Sequence, residues 1–173
     1  MEQSAIISEI EILRATTVFL INRGVAPYQF SLAHGQGSDG EAFQKLLTNA
    51  LKQVKFQPKF YTTGPDICGI SATEFWQIEC KRSGSGKSQT QRNNFDRALA
   101  SVVSYYDDVT SKLPEEFKDA QQCLGLALPS TQDYLRQLTR RVRKPLRQKL
   151  TLWILLYDLN TKSIRAVSPS DEY

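Results

Sequence analysis

Between residues 39 and 106 the hydrophobic spacing switches from helical to strand-like and back, and this switch constrains the fold more than any other feature. From Asp39 to Val54, the residues Phe43, Leu46, Leu47, Ala50, Leu51 and Val54 fall at i, i+3, i+4, i+7, i+8 and i+11, a single apolar stripe along a helix. Three strand-length runs follow, Phe60–Thr62, Ile67–Ile70 and Phe75–Cys80, the last two joined by the turn-like Ser71-Ala72-Thr73-Glu74. A Gly/Ser/Lys loop from Arg82 to Gln89 then leads into a second helical stretch, from about Gln91 to Tyr106.

The same reading extends to both ends. Residues 2–22 are expected to be helical, with Ile6, Ile10, Leu13 and Leu20 near helical spacing and Gly24 as the stop. Residues 25–38 form a loop with a short strand at Tyr28–Leu32. A strand at Cys123–Leu128 ends at Pro129, and Ser130 or Thr131 caps a helix reaching towards Leu150, which Pro145 must kink or break. Thr151–Leu159 and Ser163–Val167 close the chain as a hairpin with Asn160-Thr161 at its turn. The order α, α, β, β, β, α, β, α, β, β fits an α/β fold, a central mixed β-sheet flanked by helices.

Length and composition agree with one domain. At 173 residues, 40% hydrophobic and 23% charged, the chain has enough apolar content to bury a core and too much to stay disordered. Three parts are expected within it: an N-terminal helix and loop (1–38), a central region (39–107), and C-terminal strands with a basic helix (108–173). The opening residues carry no basic stretch ahead of an apolar one, and the longest apolar run, Leu152 to Tyr157, is too short for a bilayer. The expected location is therefore the cytoplasm, with no membrane partner. Cys68, Cys80 and Cys123 lack CxxC spacing and read as small buried hydrophobes. His34 is the only histidine, which cannot build a multi-histidine metal site, and it reads as a loop residue.

Chemistry concentrates in Gly64-Pro65-Asp66-Ile67-Cys68-Gly69-Ile70 and Phe75-Trp76-Gln77-Ile78-Glu79-Cys80-Lys81. Side chains alternate faces along a strand, so Glu79 and Lys81 point one way while Ile78 and Cys80 point into a core layer. Asp66 begins the preceding strand, and a hairpin would bring its carboxylate beside Glu79. Two carboxylates and an ammonium at a sheet edge suit a hard divalent cation and a water. Mg²⁺ takes oxygen ligands and keeps several waters. On a phosphodiester it offsets developing charge and acidifies a water, while a lysine assists as a base or as a fixed cation.

Pro65-Asp66, with Glu79-Cys80-Lys81 beginning thirteen positions after Asp66, resembles the PD-(D/E)XK signature of restriction endonucleases and many repair enzymes. The resemblance covers about Asp39 to Asp107 and implies a restriction endonuclease-like fold. It implies metal ligation by Asp66, Glu79 and the backbone oxygen of Cys80, with Lys81 as the catalytic lysine and Mg²⁺ or Mn²⁺ as cofactor. The implied activity is hydrolysis of DNA phosphodiester bonds, by an endonuclease that leaves 5′-phosphate ends. Members that cut both strands often pair, so a homodimer is compatible with the resemblance, as is targeting by a partner protein. The other reading of Glu79 and Lys81 is an exposed ion pair on a strand.

Further residues extend the motif less specifically. The family often adds an acid from the helix before the hairpin. Glu41 reads either as that third metal ligand or as a first-turn acid favourable to the helix dipole, because it lies about 150° from the centre of the apolar stripe at about 100° per residue. Gln91 begins Gln91-Arg92-Asn93-Asn94-Phe95, which is similar to a Q-x-x-x-Y pattern of RecB-related members with Phe in place of Tyr, so Gln91 is a candidate for orienting substrate. Gly84-Ser85-Gly86-Lys87-Ser88 looks like the end of a phosphate-binding P-loop, but Lys81 stands where that loop needs its first glycine. An NTPase is the third reading, and Lys87 is also a candidate contact to DNA phosphate.

The charge pattern supplies the partner. Lys and Arg number 22 against 18 Asp and Glu, and seven basic residues crowd between Arg136 and Lys149. In a helix continuing through Pro145, Arg136, Arg140, Arg143 and Arg147 would form one stripe beside Leu135, Leu138, Val142 and Leu146. Such a row suits a phosphate backbone, whereas an ordinary charged face would merely be solvated. The alternative to a nuclease is a non-catalytic nucleic-acid-binding module of the same fold.

Overall fold

The computed structural model describes residues 7–31, 40–52, 57–83, 88–106, 115 and 118–173. In chain order the elements are α1 (Glu9–Asn22), β1 (Ala26–Ser31), α2 (Gly40–Leu51), β2 (Phe60–Tyr61), β3 (Ile67–Ile70), β4 (Glu74–Cys80) and α3 (Ser88–Ser104). They continue with β5 (Gln121–Pro129), α4 (Gln132–Arg141), α5 (Lys144–Leu150), β6 (Leu152–Asp158) and β7 (Ser163–Val167). The strands form one mixed seven-stranded sheet in the order β2-β1-β3-β4-β5-β6-β7. Strands β1, β3 and β4 pair antiparallel, β5 joins β4 in parallel, β6 joins β5 in parallel, and β7 returns antiparallel on β6. The expected α/β class and mixed sheet are therefore present, with helices against both faces.

Strand alternation divides the interior into two layers. Cys123 and Ala127 of β5 and Leu155 and Tyr157 of β6 pack with α1 and α2 residues such as Ile12, Leu20, Leu47 and Leu51. Leu124, Leu126 and Leu128 of β5 and Leu152, Ile154 and Leu156 of β6 point the other way, onto Phe95, Ala98 and Val102 of α3 and Tyr134 and Leu138 of α4. In β4, Trp76, Ile78 and Cys80 enter the first layer. Gln77 and Glu79 consequently share the opposite face, on the side of α3. Gly125 lies opposite Ile78, where an added Cβ would come within 2.7 Å of Ile78 Cγ1.

Local chemistry fixes the helix ends. Ser8 and Glu11 form a capping box: the Glu11 amide donates to Ser8 Oγ at 3.3 Å, and the Ser8 amide donates to Glu11 Oε2 at 2.9 Å. The helix expected from residue 2 is thus capped at Ser8, and residues 1–6 lie outside the described segment. Gly24, at φ 79°, supplies the left-handed residue that ends α1.

The single basic helix expected through Pro145 is two helices. Val142 leaves the helical region, Arg143 is extended, and α5 starts afresh with Pro145 in its first turn, where a missing amide costs no hydrogen bond. At the other hairpin, Asp158 Oδ1 accepts from the amides of Asn160 and Thr161 and closes the β6–β7 turn. Among the described residues no helix is long and apolar enough to cross a membrane.

Candidate active site

The hairpin that the sequence suggested forms. Ile67 pairs with Ile78 in the β3–β4 register, so Asp66, one residue earlier, falls across from Glu79. β1 anchors this corner, because the Ser31 amide donates to the Asp66 carbonyl at 3.1 Å. The approach to Asp66 is held too: Ser31 Oγ donates to the Thr63 carbonyl at 2.8 Å, and Gly64 adopts φ 105° where a Cβ would strike Gln29 Nε2 at 2.9 Å.

Asp66 Oδ2 accepts the Cys80 amide at 2.7 Å. Within an extended strand the N–H and C=O of one residue lie on the same side, so the Cys80 carbonyl also lies towards Asp66. The following amide, Lys81, turns the other way and donates to the Ala127 carbonyl of β5 at 3.0 Å. Lys81 Nζ reaches back to Glu79 Oε1 at 2.7 Å, and the Tyr105 hydroxyl donates to Glu79 Oε2 at 2.6 Å. Tyr105 follows the end of α3, where Gln122 of β5 donates to its carbonyl at 2.9 Å and to Gln77 Oε1 at 2.6 Å.

Asp66, Glu79 and Lys81 all line one cavity of about 320 Å³, together with Thr62, Thr63, Gly64, Arg82, Tyr105 and Glu9. Asn94, Arg97 and Ser101 complete it from α3. Asp66 and Glu79 are only 5% and 6% exposed, which sets their electrostatics. Burial, then the neighbouring Glu79 carboxylate, hold the Asp66 carboxyl well above the ordinary range, against the opposing pull of Lys81 and the Cys80 amide. Glu9 is raised as well, by burial first, with Lys81 and Arg82 partly offsetting it. For Lys81, burial favours the neutral amine, but Asp66 and Glu79 outweigh it and hold the ammonium above its usual value. Two crowded acids beside one held ammonium are unlike the exposed ion pair that was the other reading of this strand.

Glu9 and Tyr105 were not visible in the sequence reading. Glu9 is brought to the cavity by the link between the Ile7 amide and Ser83 Oγ (2.8 Å) and the return bond from the Ser83 amide to the Ile7 carbonyl (3.2 Å). The capping box Ser8–Glu11 was a legible sign of a helix start there, although nothing local shows where that start docks. Asn94, Arg97, Ser101 and Tyr105 fall at i, i+3, i+7 and i+11, a polar stripe beside the apolar Phe95, Ala98 and Val102.

Other candidates are placed elsewhere. Glu41 is exposed on the first turn of α2 and does not line the cavity, which corrects its reading as a third ligand; its place in the helix suits the dipole instead. Gln91, Arg136 and Arg140 meet in a second cleft between α3 and α4. Arg143 is exposed at the α4–α5 break. Arg147 is fully buried, its Nη1 and Nη2 donating to the Ser168 and Asp171 carbonyls at 2.6 and 2.5 Å, with the guanidinium over the Tyr173 ring. Restarting the helix at Lys144 rotates Arg147 inward, so the expected four-arginine stripe does not form. Lys87, the Gly84–Lys87 loop and His34 lie outside the described residues. The three cysteines are buried and free, and burial pushes the Cys68 and Cys123 thiols up to about 12.

Compared with protein-family models, curated proteins and solved structures, the chain matches none. Among the described residues, no group of three or more His, Cys, Asp and Glu side chains forms a ready metal-binding cluster. The donors available at this corner are two carboxylates and a backbone carbonyl, a set that suits an ion bound through one or two carboxylates and several waters more than a fully protein-caged one.

Proposed function

We propose that the protein is a metal-dependent nuclease of the PD-(D/E)XK type with a restriction endonuclease-like fold, hydrolysing phosphodiester bonds in DNA as an endonuclease. One observation carries the reading: Asp66, Glu79 and Lys81, singled out by strand alternation and by the resemblance, converge on one cavity at the end of β4. The two buried carboxylates crowd each other, which a divalent cation would relieve, so the donor set fits Mg²⁺ or Mn²⁺. Asp66, Glu79 and the Cys80 carbonyl would hold the ion, and when bound it would supply Lewis acidity at the phosphate and acidify a water.

The chain's own groups define the rest. Lys81 is held protonated by Asp66 and Glu79, which favours its role as a fixed cation facing the developing phosphate charge. Tyr105 and Lys81 each hold one oxygen of Glu79 and so fix the carboxylate's plane. Arg82 and Arg97 at the cavity wall offer charge to the substrate backbone. Glu9 of α1 adds a third carboxylate to the cavity wall, outside the set that would hold the ion.

The test is cleavage of supercoiled plasmid and of a branched DNA junction, with Mg²⁺ or EDTA, comparing wild type with Asp66→Ala and Lys81→Ala. Metal-dependent cutting lost in both variants is the expected result. Activity that survives EDTA, or is unchanged by Lys81→Ala, sinks the proposal, and DNA binding without cutting moves the reading to a non-catalytic module.

A further inference from the structure

A second cleft, of about 210 Å³, opens between the first turns of α3 and the length of α4. Gln89, Gln91 and Arg92 line one wall, and Asp133, Arg136 and Arg140 line the other. Tyr134 also borders it, with its ring buried in the core layer below. Three guanidiniums therefore line the cleft with one carboxylate, and among the described residues the only ion pair within it, Arg136 to Asp133, is long at 3.8 Å.

Arg92 and Arg140 make no ion pair or hydrogen bond among the described residues. Other arginines of the fold are paired. Arg23 is bidentate to Glu74, Arg141 pairs with Asp96, and Arg147 holds two carbonyls. Arg82, Arg97, Arg143 and Arg165, like Arg92 and Arg140, have no side-chain partner among the described residues; what sets Arg92, Arg136 and Arg140 apart is that they line one cleft. Like charges left together without counter-charge repel each other, and an anion between them removes that cost. A planar fork of donors matches phosphate oxygens in particular.

The polar requirement is not for an anion alone. The Gln91 side-chain oxygen is buried with no hydrogen-bond donor to it among the described residues. A nucleotide carries both features, phosphate oxygens and base N–H donors; free inorganic phosphate at neutral pH offers much less of the second.

Position ties the cleft to the first cavity. The Tyr134 hydroxyl donates to the Arg82 carbonyl at 3.0 Å, and Arg82 lines the cavity that holds Asp66 and Glu79. α3 contributes to both sites, Gln91 and Arg92 to the cleft and Asn94 and Arg97 to the cavity. Gln91 and Asn94 are separated by about 5 Å along the helix axis, comparable to the reach of one or two nucleotides.

We infer that the Arg92–Arg136–Arg140 cleft is a phosphate-binding subsite for the nucleic-acid strand running outward from the Asp66–Glu79 cavity. The nature of the ligand rests on the proposed nuclease reading; the anion site itself rests on the unpaired arginines. The three arginines grip backbone and leave sequence unread, so they lengthen the footprint without adding base specificity.

The experiment is equilibrium binding of a short fluorescent DNA duplex by the full chain, in Ca²⁺ buffer, over a range of KCl concentrations. If Arg92 and Arg140 each neutralise one phosphate, Arg92→Ala/Arg140→Ala lowers the slope of log affinity against log salt by about 1.8. Arg92→Lys/Arg140→Lys keeps most of that slope, because charge is retained. Arg165→Ala, at an exposed position of the edge strand β7 that lines neither cavity, leaves it unchanged.

An unaltered slope in the double alanine variant overturns the inference, and so does a wild type that binds no DNA. Arginine-dependent binding of polyglutamate as tight as that of DNA also overturns it, in favour of an acidic protein partner. A reduced slope in a protein that cuts no DNA supports the subsite while the nuclease reading fails, so the two outcomes are separable.

Discussion

Replacing Tyr105 with Phe removes one hydroxyl and leaves its surroundings in place. The lost group donates to Glu79 Oε2 at 2.6 Å, while the bond from Gln122 to the Tyr105 carbonyl does not depend on the side chain. Hydrogen bonds to ionised groups contribute about 1.5–3 kcal/mol net. The orphaned oxygen borders a cavity that water can enter, so replacement by water puts the loss at the low end, about 1.5 kcal/mol. For a chain of this size that is a fall of roughly 3–6 °C in melting temperature.

The larger effect is on function. Glu79 loses one of two groups that fix its plane, and removing partners behind a metal-binding carboxylate typically costs about 10–100-fold in metal affinity or activity. Thermal melts with and without Mg²⁺, and single-turnover cleavage against Mg²⁺ concentration, read the two effects separately. The expected variant melts lower and needs more Mg²⁺, with its rate recovering as Mg²⁺ saturates. An unchanged melting temperature together with an unchanged Mg²⁺ midpoint refutes the role given to this hydroxyl.

Three more outcomes are expected. Asp66→Asn keeps an acceptor for the Cys80 amide but removes a carboxyl that burial and Glu79 hold above its usual range, so ionising it costs stability. That cost appears as pH rises through the raised value and vanishes in the ordinary carboxylate range near pH ~4; the variant should be the more stable protein at neutral pH, inactive, and should lose its advantage in acid. A stability difference that is flat from acid to neutral pH contradicts this. Gly125→Ala drives a methyl into Ile78 and should cost about 1–3 kcal/mol, seen as a lower urea midpoint, which an unmoved midpoint would rule out. Arg147→Ala should cost on the order of 3 kcal/mol and expose the C-terminal residues to protease while leaving DNA affinity intact; weakened DNA binding in a folded Arg147→Ala protein would reverse its assignment.

Legibility followed range along the chain. The Asp66–Glu79–Lys81 corner was readable because a short hairpin makes it, and alternation alone decides that Cys80 turns away from its neighbours. Tyr105 and Glu9 were hidden because they arrive through packing: Tyr105 by the seating of α3 on β4 and β5, Glu9 by the Ile7–Ser83 link across most of the first half of the chain. Glu41 stands apart because the helix that precedes the hairpin in sequence, α2, does not line the cavity, whereas α1 and α3 do. The arginine row failed for a different reason. A stripe is a statement about phase, and the break at Val142 and Arg143 resets the phase, so Arg147 turned inward although its residue type argued for the surface. Arg136 and Arg140, on the near side of that break, kept their place.

The excursion between β1 and β3 has a consequence for how such a protein could diversify. Asp66, Glu79 and Lys81 are fixed by β3 and β4, whereas Thr62 and Thr63, at the end of the excursion that carries α2 and β2, supply the facing wall. Tool and handle are thus carried by separate stretches of chain. Insertions or exchanges in the excursion would reshape what enters the cavity while leaving the hairpin's geometry alone, and new selectivity could be acquired without rebuilding the chemistry.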